Sequence, residues 1–459
     1  MLLTIEKLIY GGDGLARLPV DNPSNNPASD DRSRGKAVFV PFVLAGEKVE
    51  ASLTEQKPGF ARARAEAIVE PSPHRVPPAC LYFGQCGGCH YQHISYEQQI
   101  EIKKEILRET LRRTARLDLP CEIEVHASPP WNYRNRSRFQ VRTAPTFAAG
   151  YFRFASHDLL SVEQCPISSP LINRGISALW QSGLAGKVPD GVREVEFFAN
   201  ADDTRLLIEL SCSAEARRAP VREWAEDFRA SMPEIAGVIA FRETKQRLKQ
   251  VPSQAPEIEK LIAVGADHLI YQTQRAAYRV SAGSFFQTNR FLTDKLTKIV
   301  AQGQSGALAL DLYAGVGLFS TALACDFDHV VSVESSPISS GDLAYNQPPN
   351  GKAVQATAVR YLARVPESAQ GGTGSVLPQV AQKPDLAVVD PPRSGLEEPV
   401  ARQLANLAAP RVIYVSCDPA TLARDLVHLL AAGYRVEQVH LVDLFPQTYH
   451  LETVVHLTR

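Results

Sequence analysis

Four short apolar runs in the last third of the chain, each ending in a carboxylate or a thiol, constrain the fold more than any other feature. Ala307 to Leu312 carries Asp311 near its end and leads into Tyr313-Ala314-Gly315-Val316-Gly317, a glycine turn ahead of Leu318 and Phe319. Val330 to Val333 ends in Glu334, 23 residues after Asp311. Leu386 to Val389 ends in Asp390, followed by Pro391 and Pro392, and Arg411 to Val415 ends in Ser416-Cys417-Asp418-Pro419. Runs of Val, Ile and Leu without polar alternation read as parallel strands covered on both faces. The spacing predicts an α/β domain with an open sheet, whose ligands bind beyond the carboxyl ends of the strands. Asp311, Glu334, Asp390 and Cys417 are therefore expected at one crevice. Phe445 to Val455 supplies a last strand with Glu452 at its mouth.

The first strand–turn–helix unit narrows the ligand. Glycines let the backbone approach it, and an acid ending the second strand accepts hydrogen bonds from ribose hydroxyls. The turn here is Gly-x-Gly without the third glycine of the pyrophosphate pattern. A nucleoside cofactor without phosphate, such as S-adenosylmethionine, fits it better than a dinucleotide. A cysteine at a strand end is ordinarily a small packed hydrophobe. Aligned with three carboxylates at the ligand edge, Cys417 reads as a nucleophile instead.

At 459 residues the chain exceeds one core, since domains average roughly 150 residues. In residues 1–70, Leu3, Ile5, Leu8 and Ile9 lead into the turn Gly11-Gly12-Asp13-Gly14, Ala37 to Val43 is a second strand, and Arg62 to Ile68 alternates like a third. Short strands with glycine turns predict a small barrel, a fold that commonly binds oligonucleotides on one face. Asp21 to Lys36 reads as a polar surface loop. Pro71 to Pro78 is a stiff linker and the first boundary. Ser95 to Arg116 is predicted helical, with Ile100, Ile102, Ile106, Leu107 and Leu111 apolar. Residues 71–265 are assigned to a mixed α+β central domain, with alternating strand and helix signals over 122–265, and 266–459 to the α/β domain. Pro366 to Pro384 reads as a low-complexity insertion.

The composition, 44% hydrophobic and 22% charged, is that of a globular protein. No apolar run approaches the ~18 residues that span a bilayer, and Met1 to Lys7 shows no export signal. Both point to the cytoplasm, away from membranes. A net charge of −1 gives no global attraction to nucleic acid, so an RNA partner would need a local basic surface. Trp131 to Arg142 offers one: Arg134, Arg136, Arg138 and Arg142 with Trp131, Tyr133 and Phe139, and no acid. In a strand Arg134, Arg136 and Arg138 share a face, and arginines beside stacking aromatics suit phosphates and unstacked bases. A solvated strand is the plainer reading. Lys245-Gln246-Arg247-Leu248-Lys249 is a second basic run.

Eight cysteines without an export signal are not a disulfide framework. Cys80, Cys86 and Cys89 cluster around Gly87 and Gly88, and Cys165-Pro166 follows after 75 intervening residues. Three close thiolates and a distant fourth suit an iron–sulfur cluster or an all-cysteine zinc site. Four protein ligands leave no iron open to substrate, so the role is structural or sensory.

Together these residues resemble the S-adenosylmethionine-dependent RNA uracil-5-methyltransferases, in the iron–sulfur branch that acts on 23S ribosomal RNA. The resemblance implies a TRAM barrel, a Rossmann-like seven-stranded methyltransferase domain, and a [4Fe-4S] cluster on Cys80, Cys86, Cys89 and Cys165. Ser284-Phe285-Phe286-Gln287 matches a cofactor-contacting segment. Gln287, Tyr313, Glu334 and Asp390, with Asp311 and Gly315, are implied in the cofactor site. Ser416-Cys417-Asp418-Pro419 matches the nucleophile motif, and His450-Leu451-Glu452 the general-base motif. A monomer that methylates RNA is implied. Transfer RNA as substrate, a non-catalytic RNA-binding iron–sulfur protein, and an amino-methyltransferase using Asp390-Pro391-Pro392 are the competing readings. The stretch Ser335 to Asp342 is expected to start a helix poorly.

Overall fold

The computed structural model describes residues 1–18, 35–243, 258–364 and 383–459. The basic run Lys245 to Lys249 and nearly all of Asp21 to Lys36 and Pro366 to Pro384 lie outside the described residues.

The chain opens with β1 (Leu2–Thr4), β2 (Lys7–Leu8), β3 (Asp13–Arg17), β4 (Ala37–Pro41), β5 (Lys48–Gln56) and β6 (Phe60–Glu70), in the order β1-β5-β6-β4-β3-β2. Alternation in β3 and β4 turns Ala16, Val38 and Val40 onto Leu3, Ile5, Val49 and Ala61, a core of the barrel's own.

After the proline-rich linker comes a helix, Tyr96–Thr114, and β7 (Ile123–His126). The helix buries Ile102, Ile106, Leu107 and Leu111 in the same core as Leu310, Leu426 and Val455 of the C-terminal third. Its polar residues reach the same way. Lys103 Nζ, fully buried, lies 2.6 Å from Asp443 Oδ1 and 3.0 Å from the carbonyl of Phe445. Removing one partner of a buried ion pair strands the other charge. Lys103→Met should therefore lower the unfolding free energy by about 3 kcal/mol, measured by urea denaturation.

The central sheet comprises β8 (Arg136–Arg142), β9 (Ala148–Phe152), β10 (Leu159–Ser161), β11 (Val192–Ala199), β12 (Leu206–Cys212), β13 (Ile235–Glu243) and β14 (Ile258–Gly265), ordered β10-β9-β8-β11-β12-β13-β14. It corrects the reading of the basic stripe. Arg138 donates to Glu196 Oε2 at 2.8 Å, Arg136 lies 3.4 Å from Glu196 and 4.3 Å from the Phe198 ring centroid, and Glu194 is 3.7 Å from Arg138. The stripe has no acid in sequence because its acids lie on β11, paired across the sheet. Arg134 leaves the strand altogether and turns into a pocket described below.

A ribbon of β15 (His268–Gln272) and β16 (Ala277–Ser281) leads into β17 (Gly306–Leu312), β18 (Phe327–Glu334), β19 (Gly351–Gln355), β20 (Leu386–Val389), β21 (Arg411–Ser416), β22 (Arg435–Val442) and β23 (Glu452–Thr458). These last strands form a sheet in the order β19-β18-β17-β20-β21-β23-β22, with β23 antiparallel to both neighbours. β20 is buried throughout, as a central parallel strand must be. The seven expected strands are extended by an eighth: β7 pairs with β22 in parallel, so residues 123–126, expected in the central domain, contribute an edge strand here. The order reverses between β17 and β20, which opens a crevice at their carboxyl ends. No helix of the described residues is long and apolar enough to cross a membrane.

Candidate active site

That crevice is a pocket of about 730 Å³, lined among others by Gln287, Tyr313, Gly315, Glu334, Asp390, Cys417 and Glu452. The glycine turn builds its floor. Gly315 and Gly317 have φ of 56° and 96°, in the left-handed region, and the Gly315 amide donates to Glu334 Oε2 at 3.0 Å. Ser336 N donates to Glu334 Oε1 at 2.7 Å, so both oxygens of this pocket-lining carboxylate are held by backbone amides. Contrary to the poor start expected after Glu334, Ser336 caps the helix Pro337–Asn346 and Pro337 opens it, a favourable beginning.

Asp311 is not among the lining residues. It is fully buried one layer behind the turn, where Oδ2 accepts from Ser320 Oγ at 2.5 Å. Burial pushes its carboxyl up to about 7. The expectation failed because Asp311 precedes the end of β17 by one residue, and successive side chains alternate faces. The two phenylalanines also separate. Both line the pocket, but Phe286 is buried in the core, 4.5 Å from the Tyr271 ring, while Phe285 is 60% exposed.

Cys417 sits between the end of β21 and the helix Pro419–Ala431. Asp418 caps that helix, accepting from Ala420 N at 3.0 Å and Thr421 N at 2.9 Å. The helix N-terminus favours an anion beside it. Opposing that, burial and the carboxylates Glu452 and Asp390 push the Cys417 thiol up to about 12. Burial and then the charge of Asp311 raise Asp390 to about 8, and burial with Asp390 raises Glu452 well above the usual carboxylate range. At neutral pH Cys417 and Asp390 thus hold their protons. Among the residues lining the pocket, Arg134 and Arg393 are the cations.

The neighbours of these groups are held from three directions. Asp425, buried beneath, accepts from Leu396 N and Tyr414 Oη at 2.7 Å each, tying the loop after Asp390 to the Cys417 helix. The segment before Glu452 is gripped by the first helix: Gln99 exchanges hydrogen bonds of 3.0 and 2.9 Å with Gln447, and Tyr96 donates to Asp443 at 2.9 Å. The amides of His90 and Tyr91 donate to the Gln447 carbonyl at 2.9 and 3.0 Å. From the barrel, Tyr10 donates to Asp418 Oδ2 at 2.9 Å and packs edge-on against Tyr449. Thr357, Phe445 and Tyr10 received no site role from sequence, His450 entered only as part of the general-base motif, and Arg134 only as part of an RNA-binding stripe. Arg134 carried one usable signal, an arginine flanked by aromatics, but its destination depends on how the central sheet meets the C-terminal sheet.

Cys80, Cys86, Cys89 and Cys165 come together. Each of Cys80, Cys86 and Cys89 feels the charge of Cys165, and burial is the main cause raising each of the three thiols, Cys86 to about 11. The Gly88 amide turns back to Cys86 Sγ at 3.4 Å. All four are unbridged by disulfides. A second cavity of about 610 Å³ opens between this loop and the barrel, lined by Phe39, Phe42, Arg62, Arg64, Arg75 and Phe154 among others.

The TRAM domain model matches residues 1–65. An uncharacterized RNA methyltransferase of Aquifex aeolicus is 30% identical to this chain, over 99% of this chain and 97% of its own. The 23S rRNA (uracil(1939)-C(5))-methyltransferase of Chromohalobacter salexigens is 31% identical, over 100% of this chain and 89% of its own. The crystal structure of the Pyrococcus abyssi tRNA (uracil-54, C5)-methyltransferase in complex with S-adenosyl-L-homocysteine shares the fold, with a TM-score of 0.71 at 22% identity over 100% of both chains. The tRNA (uracil-5-)-methyltransferase family model matches residues 95–459, most of the chain, and it is to this family that the chain belongs.

Proposed function

We propose that this protein is a cytoplasmic, monomeric enzyme that methylates C5 of a uridine in 23S ribosomal RNA, using S-adenosylmethionine and a transient bond between Cys417 and C6 of the base. The observation that carries the reading is the meeting of Cys417 and Glu452 in the same pocket as Glu334 and Gln287. The ribosomal relative at 31% identity favours that RNA over transfer RNA. The exposed Phe285 and the aromatic, arginine-lined cavity beside the barrel suit an unstacked strand.

Uracil C5 is too weak a nucleophile to take a methyl group unaided. Addition of the Cys417 sulfur to C6 makes an enolate whose C5 carries the electron pair. The thiol is neutral at rest, so its proton leaves as the S–C6 bond forms, to Asp390, ionised together with Glu452 beside the cationic cofactor, and Glu452 stays free for the proton on C5. Arg134 and Arg393, the cations of the pocket, balance the anionic ring. Gln287, Tyr313 and Glu334 would hold the cofactor, which supplies the methyl group on an electrophilic sulfonium. Glu452 then takes the C5 proton, the C5–C6 double bond re-forms and the thiolate is expelled. The base must leave its stack to reach Cys417, at a cost of a few kcal/mol in a duplex. Mapping 5-methyluridine in ribosomal and transfer RNA after incubation with the protein tests the proposal: a new site in 23S RNA supports it, and none in either RNA refutes it.

A cation in this pocket favours the ionised carboxylates. With Asp390 neutral below about 8 in the free protein, binding a sulfonium at lower pH must expel a proton. Affinity for S-adenosylmethionine should therefore rise with pH toward about 8, by up to about tenfold per pH unit. S-adenosylhomocysteine, uncharged at sulfur, should show a flatter profile. Calorimetry across pH checks this, and Asp390→Asn should flatten the difference.

The four converging thiols form an all-sulfur donor set that fits a [4Fe-4S] cluster. It would fix the loop whose next residues, His90 and Tyr91, hold Gln447 ahead of Glu452. Anaerobically purified protein should be brown, and Cys89→Ser should lose that absorbance. Colourless protein carrying zinc would replace iron with zinc at this site.

A further inference from the structure

We propose that Glu124, His126 and His440 bind a divalent transition-metal ion of the zinc type at the outer edge of the methyltransferase sheet, remote in role from the methyl-transfer pocket. None of the three lines that pocket. His440 on β22 lies opposite Glu124 on β7, and His126, two residues further along the strand, projects from the same face. One ligand atom from each residue lies within 4.8 Å of the other two, and the Glu124 carboxylate reaches one imidazole with each oxygen. His126 Nε2 is 3.1 Å from His440 Nδ1 and 3.4 Å from Glu124 Oε1, and His440 Nδ1 is 3.4 Å from Glu124 Oε2. Tetrahedral zinc with nitrogen ligands at about 2.0–2.1 Å spaces neighbouring ligand atoms by about 3.3 Å, close to each of these three separations.

The surroundings orient the ligands. His440 Nε2 lies 3.3 Å from Gln438 Oε1. In the tautomer that donates Nε2–H to Gln438, Nδ1 presents a lone pair toward His126 and Glu124, the arrangement by which the second nitrogen of a metal-bound histidine is held. A third histidine, His456 on β23, packs edge-on 5.3 Å from the His440 ring, and its buried Nε2 has no hydrogen-bond partner. Both histidines are buried while Glu124 is 63% exposed, which leaves a fourth position open to water. The opposing charge is Lys295, exposed on the helix Thr293–Ala301, whose field reaches both histidines. The Glu124 carboxylate offsets it. Two imidazoles and a carboxylate suit zinc, cobalt or copper and disfavour calcium and magnesium. The ion would staple β7, which precedes the central domain in sequence, to the C-terminal sheet.

Calorimetric titration of the full-length, cluster-loaded protein with zinc chloride tests the site. One zinc per chain is expected, with affinity falling at least about tenfold in His440→Ala and in Glu124→Gln. Glu124 is exposed, so Glu124→Gln is the variant that keeps the fold, checked by its unaltered melting curve. Cobalt(II) should give visible ligand-field bands without sulfur charge transfer. Absence of zinc binding, binding undiminished in both variants, or a thiolate charge-transfer band placing the ion at the cysteines would each overturn the proposal.

Discussion

Cys417→Ala should abolish 5-methyluridine formation, lowering the rate by more than about a thousandfold, as loss of a covalent nucleophile does elsewhere. Cofactor affinity should stay within a factor of a few, and thermal unfolding should shift little. The reasoning is geometric. Cys417 lines the pocket at the end of β21 without a hydrogen bond that holds the surrounding loop together; Asp418, Asp425 and Tyr10 make those bonds. Removing the sulfur takes away the bond to C6 and leaves the scaffold intact. Arg134, Arg393 and Glu452 remain, yet none of them can convert the ring to a nucleophile. Methylation by Cys417→Ala at the parent rate would sink the covalent route, whatever else the pocket binds.

How much of this was readable without coordinates follows from the range of the forces involved. β17, β18, β20 and β21 were legible because a central parallel strand must be apolar on both faces, and the residue ending it must face the ligand. Glu334, Asp390 and Cys417 were placed by that rule. Asp311 defeated it, since a single step along a strand moves a side chain from the crevice to the layer behind. The helix Tyr96–Thr114 was legible from its 3.6-residue periodicity, but its buried Lys103 was not, because the partner that makes burial tolerable, Asp443, is 340 residues away. The arginine stripe misled for the same reason. A one-dimensional reading saw charges without acids, whereas Glu194 and Glu196 arrive on the neighbouring strand. Tyr10 reaching Asp418, across 408 residues, leaves no local trace at all. Local rules therefore recover elements and strand-end chemistry, and contacts between sheets are what they omit.

Glu452→Gln should separate the two halves of the reaction. The amide cannot take the C5 proton, so turnover should fall by about 10²–10⁴, while attack by Cys417 and methyl transfer can still proceed. A covalent protein–RNA species should then accumulate, visible as a retarded band under denaturing conditions and as an RNA adduct on the Cys417 peptide by mass spectrometry. The resting state of the pocket sharpens this expectation. In the parent protein Glu452 is buried beside Asp390, and the two disfavour each other's charge. Replacing Glu452 by a neutral amide removes one of those charges and the largest charge holding up the Cys417 thiol. The nucleophile should become easier to ionise, so the adduct should form at lower pH in the variant than in the parent. A structural role for Glu452 predicts the opposite: loss of turnover with no adduct and no change in the pH dependence of Cys417 alkylation. Trapping at Cys417 together with that acid shift requires Glu452 to act after the sulfur has bonded, as the base that frees the product.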